Sequence, residues 1–520
     1  MRYVLSLSLT ALICAFSTAG PLSVAIDEEL RAAWKREKVT PVGPAADGEF
    51  LRRVTLDLVG TIPTYAELTA FLAKPDREKA IERLLADPRF ARHQAQVWDL
   101  ILFGRDAPDH VRSREPFRAW LAAKIDKGVG FNKVAEAALL GEEPGSEYYL
   151  AQFRNRSEDA AESVSRSFLG TQLQCARCHD HPFDSSLTQR DFYGLAAFLA
   201  RVVVLESGSG EKRKLTVGEK STGEVLFSGS AKDARPGKKG DPVQPKFLGG
   251  KQLEEPPPPK GLKEKTPTSP KDLTKPHFSR KARLAEWVAS PDNPFFARAV
   301  ANRVWGQLLG RGIVHPVDDL GGKNTPSLPD LLDRMARELK EHKFDLRWLI
   351  GEIVRTKAYQ LSHKGGPPDA LPRWHERARV RPLSAEEMLA SMCTACAFEE
   401  SGGKFTGAIR EYMRMYFGKP TNGLGDFQAG LREHLFMNNS GDVRDLIYRR
   451  KGSLADQLYT SADPWEKRVD RLYLSVLSRL PSEAERTRFV EFFKSEPRAD
   501  GLVEDAIWVL LNTSEFRFQR

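Results

Sequence analysis

Residues 201–280 break the chain in two, and no other feature limits its fold as strongly. Pro256 to Pro259 and the tract from Thr266 to Pro276 form an extended stretch with little capacity to pack. Before them, Val202 to Leu205 and Glu224 to Phe227 read as short strands separated by Gly, Ser and Lys turns. On either side the apolar residues recur at helical spacing. Thr64-Tyr65-Ala66-Glu67, just after Pro63, is a capping box ahead of Leu68, Phe71 and Leu72. A second amphipathic run, Ala80 to Leu85, ends at Asp87-Pro88. Residues 158–174 carry Ala161, Val164, Phe168 and Leu173 and predict a helix running straight into a cysteine motif. A further helical region begins near Arg280. The expected fold is mainly α: two helical domains, 27–200 and 281–520, joined by a small β-containing, Pro/Lys-rich region, 201–280.

The two ends echo one another. Arg53 to Thr69 aligns without gaps to Arg471 to Thr487, placing Pro63 on Pro481, Thr64 on Ser482, Glu67 on Glu485 and Phe71 on Phe489. After an eight-residue insertion, Ile81, Leu84, Leu85 and Phe90 fall on Ile507, Leu510, Leu511 and Phe516. Each copy predicts a helix, a proline-led cap and two more helices.

Residues 1–20 read as a secretory signal peptide. Met1-Arg2-Tyr3 is a short basic start, Val4 to Phe16 is nearly all apolar, and Ser17-Thr18-Ala19-Gly20 is a small-residue cleavage zone. Ile13 in front of Cys14 argues against lipidation. No later stretch approaches 18 uncharged apolar residues, so the expectation is an exported protein, periplasmic or extracellular, with no transmembrane segment in its mature form. The net charge of +9 is concentrated: residues 204–280 hold sixteen Lys and Arg against ten Asp and Glu. The flanks are nearly neutral with mixed signs, a solvated surface rather than a phosphate-tracking stripe, and no nucleic-acid partner is expected.

Cys175-Ala176-Arg177-Cys178-His179, inside CARCHDHPFD, has the spacing that attaches a c-type haem. Cys175 and Cys178 would be the thioether positions and His179 the ligand to the haem iron. No Met lies between Met1 and Met335, which excludes an ordinary Met-ligated cytochrome in the first domain. A second His, with His93, His110 and His181 as candidates, or an open sixth position is left. Rival readings stand beside haem c. The cysteines with His179 or His181 and Asp180 or Asp184 could hold zinc or another transition metal. The pair could also form a disulfide or serve as a redox thiol. Pro182 and Phe183 read as structural, Pro stopping the helix and Phe packing against it.

Cys393 and Cys396, on a helix opened by the Ser384 to Glu387 capping box, read as core cysteines or a local disulfide. Asp318 and Asp319, beside Arg303 and the Gly310-Arg311-Gly312 turn, could form a polar site, or Asp318 could cap the turn and pair with Arg303. Trp305, Trp348 and Trp508 sit among Leu and Val at helical spacing and read as core. There is no Gly-rich phosphate loop, nucleophile elbow or zinc-protease helix.

FLRRVTLDLVGTIPTYAELTAFL, IERLLADPRFARH and LGTQLQCARCHDHPFD resemble domain-of-unknown-function family 1549. The run from LAEWVASPDNPFFARAV to LLDRMA, with RPLSAEEML and DAIWVLLNTSEF, resembles family 1553. Both are also called cytochrome-associated planctomycete domains. Many relatives carry an additional class I cytochrome c domain or a carbohydrate-binding-like module, and this chain has neither. The motif and the export signal point to a c-type haem protein in extracytoplasmic redox or oxidative chemistry, and the resemblance adds a partner cytochrome or an envelope polysaccharide as the expected partner. The alternative is a non-catalytic envelope or glycan-interaction protein whose Cys/His motif binds a metal or forms a disulfide.

Overall fold

Capping residues set where the helices begin. In the computed structural model, residues 21–520 are described apart from 106, 112, 210–212, 229–238, 263, 368, 370, 399–408, 411, 414–416, 418–430 and 496–499. The expected leader, with Cys14, lies outside them. The protein is mainly α with a few short strands, as the periodicity predicts. Among the described residues, no helix is long and apolar enough to cross a membrane.

The repeated unit is visible in the backbone. Helix Asp47–Val59 is followed by left-handed Gly60, Pro63 and the Thr64–Glu67 capping box that opens helix Tyr65–Ala73. Helix Trp465–Leu477 is followed by left-handed Ser478, Pro481 and the Ser482–Glu485 box that opens helix Glu483–Lys494. The copies face each other. Arg52 donates to the carbonyls of Val476 at 2.9 Å and Phe516 at 3.0 Å. Carbonyls left over at a helix end are thereby satisfied by a buried guanidinium.

Helix Asp47–Val59 is the axis of the molecule, buried on every side from Phe50 onward. Leu51, Val54 and Leu58 enter one hydrophobic core, which gathers residues from Leu22 to Tyr359 together with Leu474. Leu56, with Ile62, enters a second core built from Leu383 to Phe516. The cores therefore cut across the sequence segments: helices Arg280–Ala289 to Leu346–Arg355 share the first core with the N-terminal half.

The middle region supplies two small antiparallel pairs. Val202–Ser207 pairs with Lys214–Glu219, and Val225–Leu226 pairs with Pro242–Val243. Val202, Val217, Val225 and Phe227 join the first core. The proline-rich tract packs more than its composition suggests, because charges anchor it. Glu255 is held between Arg201 and Arg280, the latter at 2.6 Å. Glu264 accepts the backbone N–H groups of Ser221 and Thr222 at 2.6 and 2.9 Å. Buried ion pairs here hold a segment that lacks the apolar side chains to hold itself.

Candidate functional site at the cysteine turn

The helix expected over 158–174 ends at Phe168, well short of Cys175. Ser157–Phe168 is helical, Leu169 caps it, and Gly170 turns the chain with φ +60°. The Gly170 carbonyl accepts the Leu320 N–H at 2.8 Å, so a loop from the far half of the sequence docks where the helix would have continued. A Cβ on Gly170 would lie 2.4 Å from Leu320 Cδ1 and 3.0 Å from Ala299 Cβ. Gly170→Ala is expected to cost about 1–2 kcal/mol from the left-handed backbone alone. Chemical denaturation measures it, and wild-type stability in this variant would mean that the seam yields freely.

The motif itself lies on a 3-10 turn, Gln174–Arg177, closed by Cys178. Side chains at i and i+3 eclipse in that geometry, so Cys175 and Cys178 share one face. Both thiols are free and exposed. Buried Ala176 roots the turn in the core. Arg177 pairs with Asp159 at 3.0 Å, and Tyr193 donates its hydroxyl to the Arg177 carbonyl at 3.1 Å. Asp180 accepts the Gln189 N–H at 2.9 Å, at the start of helix Gln189–Leu199.

The two histidines of the motif differ in what they offer. Nδ1 of exposed His179 lies 2.8 Å from the Asp180 carbonyl, an acceptor only, so Nδ1 carries the proton and the Nε2 lone pair is left available. His181 Nδ1 instead accepts the Phe183 N–H at 3.4 Å, which leaves the proton on Nε2. Asp184 accepts the Ser186 hydroxyl at 2.6 Å and its N–H at 3.0 Å. The Ser186 hydroxyl and, against some burial, the surrounding N–H groups hold the Asp184 carboxyl below the usual range. Phe183, expected to pack, is 65 % exposed, with the Lys323 ammonium 5.4 Å from its ring centre.

Tertiary structure also joins two motifs that the sequence presents separately. Gln172 donates to buried Asp318 at 3.0 Å. Gly322, at φ +61°, sits so close that a Cβ would be 3.3 Å from Asp184 Cβ. Asp319 accepts Asn324 Nδ2 at 2.6 Å; burial pushes its carboxyl up, opposed by Asn324 and His181 and reinforced by Asp318 and Asp184. The pairing of Asp318 with Arg303 gives way to separate partners. Arg303 donates to the Arg166 carbonyl at 3.0 Å, and Asp318 acts on it through space without reaching ion-pair distance.

The remaining candidates are apart from the turn. His93 is buried against Gly60, and burial lowers its pKa against the pull of Glu387. His110 Nε2 lies 2.9 Å from the Ala151 carbonyl. Cys393 and Cys396 lie at the end of helix Ala385–Ala395, and burial pushes the Cys396 thiol up to about 12. Trp305 is fully buried, Trp348 stacks on His342 at 3.7 Å, and Trp508 packs against the second core. Among the described residues, no group of three or more His, Cys, Asp and Glu side chains is arranged to hold a metal ion.

Fold and site thus define a two-core helical protein carrying a C-x-x-C-H turn on its surface. Residues 25–203 match the family model PSCyt2, described as a protein of unknown function (DUF1549). Residues 280–413 match PSD1, also described as a protein of unknown function (DUF1553). The chain belongs to the family defined by this domain pair. No curated protein and no solved structure matches it.

Proposed function

We propose that this is an exported c-type haem protein active in extracytoplasmic redox or oxidative chemistry. One observation carries the reading: two exposed thiols share a face of a 3-10 turn, and the next residue is a histidine whose Nδ1 is committed to a carbonyl. Cys175 and Cys178 would hold the macrocycle through thioethers, and His179 Nε2 would be the iron ligand. Bound there, the group supplies an iron centre for electron transfer or small-molecule chemistry. Phe183 leaves an apolar ring uncovered beside the turn, suited to a flat apolar face. His93 is enclosed in a buried network and His110 Nε2 is engaged by a carbonyl, which favours an open sixth position. The PSCyt2 name is in keeping with cytochrome association. A partner cytochrome or an envelope polysaccharide is the proposed counterpart.

The test is expression of the full chain in a host competent for cytochrome c maturation. Expected are a denatured pyridine-haemochrome spectrum and a mass increase of about 600 Da. Both should vanish when Cys175 and Cys178 are replaced by Ser, whereas His179→Ala should keep the added mass and alter the native spectrum. A colourless chain of unchanged mass would overturn the haem reading, and zinc retained by such a chain through Cys175 and Cys178 would establish the plain metal site instead.

A further inference from the structure

Ligation of an iron by His179 leaves over the histidine and the aromatic ring that follow it, and a loop from the second family domain brings a third group to them. The three are His181, Phe183 and Lys323. That loop is fixed by backbone contacts at both ends. The Leu320 N–H meets the Gly170 carbonyl at 2.8 Å, and Asn324 Nδ2 donates to the Asp319 carbonyl at 3.1 Å. Between these anchors two glycines press on the cysteine segment. A Cβ on Gly321 would lie 3.1 Å from Asp184 Oδ2, and one on Gly322 would lie 3.4 Å from the Phe183 carbonyl oxygen. Only residues without side chains allow so close an approach. It sets the next residue, Lys323, over the Phe183 ring, with the ammonium 5.4 Å from the ring centre.

None of the three is used up by its neighbours. Phe183 is 65 % exposed. Lys323 has no ion pair among the described residues, because Asp184, the carboxylate of the same seam, accepts the Ser186 hydroxyl and N–H instead. His181 gives its Nδ1 lone pair to the Phe183 N–H and stands edge-on to the Phe183 ring, the ring centres 6.2 Å apart. Its Nε2–H has no partner among the described residues. One place therefore offers an open apolar face, an unpaired cation and an N–H donor. An exposed ammonium gains about 0.5–1 kcal/mol from an aromatic face. A hydrogen bond to a charged group contributes about 1.5–3 kcal/mol. On its flexible stem, the ammonium would leave the ring for a carboxylate.

We infer, on the haem reading of the turn, that Lys323 and His181 bind a haem propionate, with Phe183 against the macrocycle. Haem is a flat apolar body with two carboxylates on one edge, and this cluster answers both parts of it. The propionates leave the edge opposite the thioethers, and the donors correspondingly lie beyond His179 in the chain or on the far loop. The second family domain thereby takes a direct part in holding a cofactor attached to the first, which gives the pairing of the two domains a chemical reason.

The test uses the full chain, matured with haem and treated with a water-soluble carbodiimide. That reagent joins a carboxylate to an amine as an amide and takes up the water released. Expected is the haem-bearing peptide of Cys175 and Cys178 coupled to the peptide of Lys323, with fragmentation placing the amide on the macrocycle and not on Asp180 or Asp184. Lys323→Met, on an exposed side chain, should abolish the coupling and leave the haem mass in place. Capping of the propionate by excess glycinamide should be about tenfold faster in His181→Phe than in the wild type, the loss of one charge-assisted hydrogen bond. Haem present by mass with no coupling to Lys323, or with coupling at Asp184 alone, would overturn this contact and leave the haem reading intact. Unchanged capping in His181→Phe would overturn the part given to His181. A chain without haem mass would overturn the haem reading and this contact with it.

Discussion

Asp57→Ala is expected to destabilise the protein by about 3–5 kcal/mol, the range for removing one partner of a buried charge network. Asp57 is 1 % exposed on the axial helix. Its carboxylate accepts the Tyr359 hydroxyl at 2.6 Å, Gln519 Nε2 at 2.7 Å and Arg381 Nη2 at 3.0 Å. Those partners come from the first core, the C-terminal strand and the entry to the second core, so one side chain ties three distant segments together. Removal strands two neutral donors and leaves Arg381 with Glu387 alone at 2.7 Å. Tyr359→Phe, which deletes one donor with the charge in place, should cost far less, on the order of 1 kcal/mol. Urea unfolding of both variants provides the comparison. A loss below about 1 kcal/mol for Asp57→Ala would mean that the network is not what joins the cores.

Acid should weaken the fold in two stages. Burial holds His375 down to about 3, with Arg379 and Arg311 adding to it, against the ordinary imidazole value of 6.5. Burial lowers His93 in the same direction. Each histidine binds a proton more readily unfolded than folded, so its contribution is complete above about pH 6.5 and declines as the pH falls. At pH 4.5 the loss from His375 alone is roughly 2–3 kcal/mol, at about 1.4 kcal/mol per pH unit. Glu387 adds the second stage. Burial pushes its carboxyl up, but Arg381 outweighs burial and holds it at about 2, against 4.5. Its contribution is complete above about 4.5 and is lost toward 2. Urea midpoints at pH 7.5, 6 and 4.5 should fall progressively, and His375→Gln should flatten the upper part of the curve. An unchanged midpoint down to pH 5 would contradict the first stage.

Local signals were legible. Thr64, Ser384 and Ser482 each open a helix with the reciprocal box their sequence spells, because a capping box needs only residues three apart. The internal repeat was legible for the same reason, down to left-handed Gly60 and Ser478 at matching positions. What misled was continuity. The pattern through Leu173 is helical in period, yet the helix stops at Leu169 because a loop 150 residues further along occupies the space beyond Gly170. Phe183 read as packing against the helix that Pro182 stops, but it lies on an outward loop braced by Asp184 and Leu187. The proline-rich tract read as a linker because its anchors, Glu255 and Glu264, find their partners only in three dimensions.

The sequence by itself determined the helical elements, their caps, the repeated unit and the residues of the cysteine motif, since each depends on neighbours within a few turns. It also marked Asp318 and Asp319 as unusual without saying what they meet. Tertiary structure alone decided that their loop abuts the cysteine turn, that one helix serves two cores, and that Arg53 shares a cleft with Arg377, Arg379 and Arg381. The physical reason is range. Capping and periodicity are local, whereas desolvated charge and close backbone approach depend on segments hundreds of residues apart and leave no spacing in the sequence.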